Sequence, residues 1–446
     1  MPNPYLPLWE YIPDGEPRVF GDRVYIYGSQ DCAGSHKFCD TKLKVWSASV
    51  DDLNNWKCHG DIFHTYEDED HPSDTDWTTQ NNELFAPDVV EKDGKYYLYA
   101  YIKETKGCVA VADRPEGPFK LLSQYKYQKP EDRKEDYCDN GIFIDPGVLV
   151  DDDGRVYIYC GFLKSFAAEL NADNMYEVID STYVDDIIPK EEPFKFFEAC
   201  SPRKIGDTYY LIYSNTVCSQ LVYATSKSPL GPFKYQGIII DSGADYPGGN
   251  NHGSIMKIKD QWYIFYHRMT NGSIFSRRGC VEPITILPDG TIPQVEPTSL
   301  GFEKSLSPYH PVPADIACIL KNDCFITEKD TFTRVVTNIK NGAVIGYKYF
   351  DFGEDFSSKT MKFAAKIQSM GSYAKVKIML DDDVNGEEIG YFEVTNDGNS
   401  IVRTRVKSVT GRHALYFVAE DCCSGEFAYM FKDRQLFELQ EFVFMK

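Results

Sequence analysis

The 446-residue chain has no run of about 18 apolar residues, so nothing in it reads as a membrane-spanning helix. It has no surplus of basic charge either: 47 Lys and Arg stand against 68 Asp and Glu, a net charge of −21. That balance excludes nucleic acid and anionic membranes as expected partners, since both attract basic surfaces. The opening stretch MPNPYLPLWEYIPDGEP lacks the basic and apolar regions of a secretion signal. Thirteen cysteines show no framework spacing, and Cys422–Cys423 is the one adjacent pair, which fits reduced thiols and a cytoplasmic location. Long amphipathic helical patterns are missing, which argues against a parallel α/β fold. G-x-S-x-G, Walker, G-x-G-x-x-G and H-E-x-x-H motifs are also absent.

What the chain has in excess is aromatic side chains, 14% of residues, led by 31 Tyr and 28 Phe. Aromatics favour strands, and exposed ones offer flat faces to sugars. Many of them belong to a repeated hairpin: RVFGDRVYIYGS (18–29), DVVEKDGKYYLYAY (88–101), VLVDDDGRVYIYCG (148–161), SPRKIGDTYYLIYS (201–214) and SIMKIKDQWYIFYH (254–267). Each reads as a strand, a turn of Gly, Asp or Lys, and an aromatic-rich strand. The second strands begin at Val24, Tyr96, Val156, Tyr209 and Trp262. A second hairpin follows in places, since VADRPEGPFK (111–120) resembles ATSKSPLGPFK (224–234). Two hairpins per repeat make a four-stranded blade, and five blades around an axis make a β-propeller.

About 8 to 11 residues before each aromatic strand stand Asp14, Asp88, Asp145, Glu198 and His252. In a propeller the inner strand of each blade starts beside the central channel, so these five side chains are expected to converge. Each acid alone could cap a turn, for Asp14, Asp88 and Asp145 all adjoin proline. Five equivalent positions favour a shared site, because crowded like charges raise one another's pKa and are costly to keep. Two carboxyl groups flanking a bond are the minimum for glycoside hydrolysis, one protonating the departing oxygen and the other activating water.

The segments NPYLPLWEYIPDGEP, FAPDVVEKDGKYYLY, FIDPGVLVDDDGRVYIY, FFEACSPRKIGDTYYLIYS and NNHGSIMKIKDQWYIFYHR, taken in order, resemble the five blade motifs of glycoside hydrolase family 43. The resemblance spans residues 3 to about 300 and implies an inverting enzyme on a five-bladed propeller. By motif it makes Asp14 the general base, Asp145 the residue that orients the acid and raises its pKa, and Glu198 the general acid. It places His252 where some members meet a central metal, often calcium, through water; no cofactor is otherwise required. Glu16, two residues from Asp14 and on the same face of a strand, is a competitor for the base. Asp88 is read as substrate-binding or structural. Trp77 and Phe85 are candidates for a wall of the sugar pocket or for the core, and core packing is preferred for Phe162 and Phe196. Arg278 matches a family arginine that reaches the sugar, with a salt bridge at the blade closure as the alternative.

The expected activity is exo-acting release of α-L-arabinofuranosyl or β-xylosyl units from short plant-derived oligosaccharides. An exo-galactosidase of the same family and a non-catalytic sugar-binding propeller are the alternatives. A retaining, invertase-like relative would carry an Asn-Asp-Pro-Asn-Gly type motif, which is absent.

The expected domain layout is a catalytic propeller over 1–304, a proline-rich linker over 305–313 and a β-sandwich over 314–446. Short alternating strands such as KVKIMLD, IGYFEVT and HALYFVAE carry the last assignment. GYKYFDFG and TGRHALYFVAE resemble a jelly-roll-like carbohydrate-binding module of family 6. All five tryptophans precede residue 300, so a structural or substrate-shaping role is preferred for it. DDDVNG (381–386) imitates the start of a calcium loop but reads better as an acidic turn, since position twelve is Phe392.

Overall fold

Five antiparallel sheets follow one another through the first two thirds of the chain in a computed structural model. It describes residues 1–67, 73–75, 82–103, 107–128, 143–395, 398–425, 428–431 and 433–446. Blade one is β1 (Glu16–Phe20), β2 (Arg23–Gly28), β3 (Lys42–Ser49) and β4 (Asp52–His64). Blade two is β5 (Leu84–Lys92), β6 (Lys95–Ile102), β7 (Cys108–Ala112) and β8 (Lys120–Gln124). Blade three is β9 (Gly147–Val150), β10 (Val156–Gly161), β11 (Ser165–Leu170) and β12 (Val184–Asp185). Blade four is β13 (Phe196–Ile205), β14 (Thr208–Asn215), β15 (Gln220–Ser226) and β16 (Lys234–Asp241). Blade five has three strands, β17 (Ser254–Ile258), β18 (Gln261–Thr270) and β19 (Ser273–Ile284). The aromatic strands of the repeat are β2, β6, β10, β14 and β18, each starting within one residue of its predicted position.

Apolar side chains on both faces of every blade interdigitate with the next, which makes a ring of five cores. Tyr27 shares one core with Val89, Tyr99 another with Val156, Tyr159 a third with Leu211 and Tyr223 a fourth with Ile264. The fifth core joins Val24, Ile26 and Trp46 of blade one to Phe265 and Val281 of blade five, and this closes the propeller. Tyr5 and Leu6 from the N-terminal segment fill the same seam. The Tyr5 N–H donates to the Gly279 carbonyl (3.2 Å), so the amino-terminal segment seals the blade that lacks a fourth strand.

The rest of the chain is a β-sandwich. One sheet orders β22 (Phe325–Asp330), β23 (Thr333–Ile339), β30 (Phe437–Met445), β25 (Thr360–Ser369) and β28 (Asn399–Lys407), with β20 (Val312–Pro313) on β30. The other orders β21 (Ile319–Lys321), β24 (Val344–Asp351), β29 (Arg412–Asp421), β26 (Ala374–Leu380) and β27 (Glu387–Val394). Phe363, Phe392, Phe417 and Phe442 meet edge-on and stacked between them. Segment 305–313, expected as a linker, lies on the sandwich: Leu306 donates to the Tyr349 carbonyl (2.9 Å), and β20 pairs with β30. The acidic turn after β26 is held by Asp382, which accepts from the Val384 and Asn385 amides (2.8 and 2.6 Å), while Asp383 pairs with Lys321. Every described cysteine is a free thiol.

Candidate active site

Asp14 and Asp145 precede β1 and β9 with φ of 57° and 50°, the left-handed region that aspartate tolerates better than most side chains. Such conformations cluster where a side chain must be aimed. After Asp145 and Pro146 comes Gly147, where a Cβ would run into the Cys200 carbonyl oxygen. Its absence lets blade three close on blade four, so that the Ala199 amide donates to the Asp145 carboxylate. Glu198 lies in β13 between two register shifts, with Ala199 at φ 70°. That bulge turns the side chain out of the ladder. His252 ends the segment leading into β17, with Nδ1 3.9 Å from Asp14 Oδ1 and 3.8 Å from Asp145 Oδ2.

These four residues line one cavity of about 290 Å³. Phe38, Phe85 and Phe162 supply apolar walls, while Asn250 and Arg277 add polar ones. Arg277 is fully engaged. Its Nη1 donates to Asp14 Oδ1 (2.8 Å) and Asn250 Oδ1 (2.9 Å), its Nε and Nη2 hold Asp31 (both 2.9 Å), and its guanidinium lies over Phe38. Asn250 in turn donates from Nδ2 to Glu198 Oε1 (2.8 Å). His267, also buried, accepts the Asp14 amide on Nδ1 (3.3 Å), so its Nε2 carries the proton offered to the Asn250 carbonyl (2.9 Å).

The electrostatics separate the acids. Burial pushes the Asp14 carboxyl up, but Arg277 and the two histidines outweigh it and hold it below the usual carboxylate value. Glu198 goes the other way: burial first, and then the Asp14 charge, push it up to about 7. Burial and the neighbouring Glu198 raise Asp145 well above the usual range as well. Burial lowers both histidines, His267 to about 3, so they are neutral near pH 7. One cavity thus holds a charged carboxylate beside a protonated carboxylic acid, the pairing that acid–base cleavage of a glycoside requires.

The model for glycosyl hydrolases family 43 matches residues 10–292. A xylosidase/arabinosidase of Thermoclostridium stercorarium is 39% identical over 93% of this chain and 95% of its own length. The chain belongs to glycosyl hydrolase family 43. This family 43 protein is thus a glycoside hydrolase. It is 27% identical to an arabinoxylan arabinofuranohydrolase of Bacillus subtilis, over 90% of this chain and 86% of that one. Among solved structures, a family 43 β-xylosidase/α-arabinofuranosidase from a compost microbial metagenome, in complex with xylotriose and in a calcium-free form, is 28% identical with a TM-score of 0.53. It covers 66% of this chain and 99% of its own. A B. subtilis arabinoxylan arabinofuranohydrolase structure shares the fold over the whole of this chain and 97% of its own (TM-score 0.54, 23% identity).

Several residues expected at the site of this family 43 enzyme lie elsewhere. Arg278 does not reach the cavity: it is buried, with Nη1 3.3 Å from Asp315 and Nη2 3.5 Å from the Leu6 carbonyl. Neighbours in a strand face opposite ways, and in β19 it is Arg277 that faces the acids. Asp88 is structural. Arg18 grips it from two nitrogens (2.9 and 2.6 Å), and it accepts the Val148 amide (2.7 Å). Phe85, before the register shift in β5, is the blade-two residue that reaches the cavity. Glu16 is withdrawn from the base role, because Arg203 and Ser201 hold its carboxylate and Arg18 stands 3.6 Å away. Phe162, expected in the core, is 40% exposed on the cavity wall, whereas Phe196 is buried as expected. Trp77 lies outside the described residues.

Among the described residues around His252, no set of side chains is arranged to hold a calcium ion directly. Calcium takes six to eight oxygen ligands, but the channel acids Glu16 and Asp88 are already held by Arg18 and Arg203. Among the described residues no group of three His, Cys, Asp or Glu could hold a metal. Arg277, Asn250, Asp31 and His267 were not legible as site residues. The doublet Arg277–Arg278 signals an arginine at this strand, and Asn250–Asn251 adjoin His252, but only the fold selects the face.

Proposed function

We propose that the chain is an inverting, exo-acting glycoside hydrolase that releases α-L-arabinofuranosyl or β-D-xylosyl units from oligosaccharides. The relatives named xylosidase/arabinosidase and β-xylosidase support this sugar class. The carrying observation is the single small cavity in which a charged Asp14 and a protonated Glu198 both face the space a sugar would fill. Asp14 takes a proton from water as that water attacks the anomeric carbon. Glu198 gives its proton to the departing oxygen. Burial and the Asp14 charge keep that proton in place near neutral pH, and Asp145, itself raised beside Glu198, is the carboxyl that orients the acid. Arg277 fixes the Asp14 carboxylate and, through Asn250, the Glu198 carboxyl. His252 is a neutral wall of the cavity between Asp14 and Asp145, and no step of this proposal passes through a metal.

A panel of 4-nitrophenyl glycosides tests the proposal. Turnover of the α-L-arabinofuranoside or the β-D-xyloside is expected. Turnover of only a galactoside would move the enzyme to the alternative sugar, and turnover of none would remove the activity.

A further inference from the structure

Asp14, Phe85, Asp145, Glu198 and His252, one from each blade, line the catalytic cavity. Two or three residues further along the same inner strands come Glu16, Asp88, Val148, Ser201 and Ser254, a second ring. The step is two residues after Asp14 and His252, as alternation in a strand requires. It is three after Phe85 and Glu198, where a register shift intervenes.

Two arginines join this second ring. Arg203, buried in β13, donates from Nε to the Ile255 carbonyl (2.8 Å) and from Nη1 to the Pro202 carbonyl (2.7 Å). Its Nη2 donates to the Pro17 carbonyl (3.1 Å) and to the Glu16 carboxylate. Ser201 Oγ donates to that carboxylate as well (2.9 Å) and lies 2.5 Å from Ser254 Oγ. Arg203 thereby ties the strand after Asp14 to the strand of Glu198 and to the strand after His252. Arg18 completes the ring from Asp88 of β5 (2.9 and 2.6 Å) to the Val148 carbonyl of β9 (3.0 Å), and stands 3.6 Å from Glu16. Two guanidinium groups thus balance two carboxylates and touch all five inner strands. Buried ion pairs add little net stability over apolar packing, and their best-attested use is to fix one arrangement.

We propose that Glu16 and Arg203 are positioning residues that set the separation of Asp14 and Glu198. The inference rests on the reading of those two as base and acid. An inverting hydrolase needs its carboxyl groups about 6.5–9.5 Å apart, with room for water between them. Both carboxyls depend on backbone that the local chain does not enforce: Asp14 has φ of 57°, and Ala199, next to Glu198, has φ of 70°. Such conformations persist where the surroundings over-determine them. At the cavity, Arg277 and Asn250 join base and acid by their side chains. In the channel, Glu16 and Arg203 join the strands that carry them, so the spacing is fixed at two levels.

The test measures kcat and KM on the best 4-nitrophenyl glycoside for Glu16→Gln, Arg203→Met and the double variant, each at a temperature where unfolding shows it folded. Each single variant should lose about a hundredfold in kcat, the order expected for about 1 Å of misplacement. KM should stay near the wild-type value, because the sugar walls are untouched. The double variant should lose no more than the worse single one, since both remove one interaction. Arg203→Lys keeps the charge with fewer donors and carries the test if the others do not fold; it too should lose kcat at constant KM. Wild-type kcat in the folded variants, however large the loss of stability, would overturn the proposal. A loss carried by KM, or losses that add in the double variant, would overturn it as well. Retained turnover of alkyl glycosides by Glu198→Gln would instead refute the acid assignment, and it is read independently of the channel variants.

Discussion

Asp14 and Glu198 must carry opposite protonation states at one pH, and the cavity supplies the means in Arg277 and in burial. The sign of each shift fixes the pH profile. Glu198 acts protonated, so kcat/KM should fall about tenfold per pH unit above about 7, the value to which burial and Asp14 push it. Asp14 acts ionised and is held below the ordinary carboxylate value by Arg277, so the acidic limb should lie below the usual aspartate range. Arg277 lowers both carboxyls. Arg277→Ala should therefore carry both limbs to higher pH as well as reduce the rate. A profile that loses height but keeps its limbs would show that Arg277 does not set these protonation states. At this scale the sequence exposed Asp14, Asp145, Glu198 and His252, because each occupies the same place in a repeat. It could not expose Asp31 or Asn250, whose roles arise from contacts between segments far apart in the chain.

At the scale of elements, the repeated hairpin makes the blades legible, since each aromatic strand announces itself by turn chemistry and alternation. Irregularities in those strands are not announced, and they aim the site. The bulges of β5 and β13 decide that Phe85 and Glu198 face the cavity and that Asp88 does not. Likewise Arg277 and Arg278 are adjacent and alike in sequence, and only the face of β19 separates a pocket residue from a structural one. Gly147 tests the close approach of blades three and four. Gly147→Ala places a methyl group against the Cys200 carbonyl, and overpacking of this kind costs about 1–3 kcal/mol. Denaturant unfolding should show that loss, accompanied by a fall in kcat as Asp145 moves away from the Ala199 amide. An unchanged midpoint would mean that the two blades have room to spare.

The whole molecule joins two folds through polar contacts that no local pattern reveals. Asn271 donates to the Ile326 carbonyl (2.7 Å), Leu320 to the Asp245 carbonyl (2.8 Å) and Arg268 to the Ala317 carbonyl (3.1 Å). Arg278 with Asp315 adds a buried ion pair across the same junction. Removing one member of such a pair leaves the other buried and uncompensated, at a cost of about 3–5 kcal/mol. Arg278→Ala should thus lower the unfolding midpoint markedly while KM for a nitrophenyl glycoside stays near the wild-type value. A large rise in KM without loss of stability would return Arg278 to the sugar site. The propeller and the sandwich were both readable from strand spacing. Their union was not, because hydrogen bonds between loops leave no periodic trace.

The assignment of Glu198 as the proton donor is tested most directly by the dependence of kcat/KM on leaving-group pKa, measured for wild type and Glu198→Gln over a series of aryl and alkyl glycosides. General acid catalysis contributes about 10²–10⁴-fold. The variant should therefore lose a factor in that range on poor alkyl leaving groups, keep much of its rate on dinitrophenyl glycosides, and show a steep slope where wild type is shallow. A variant that retains the wild-type rate on alkyl glycosides would contradict the assignment.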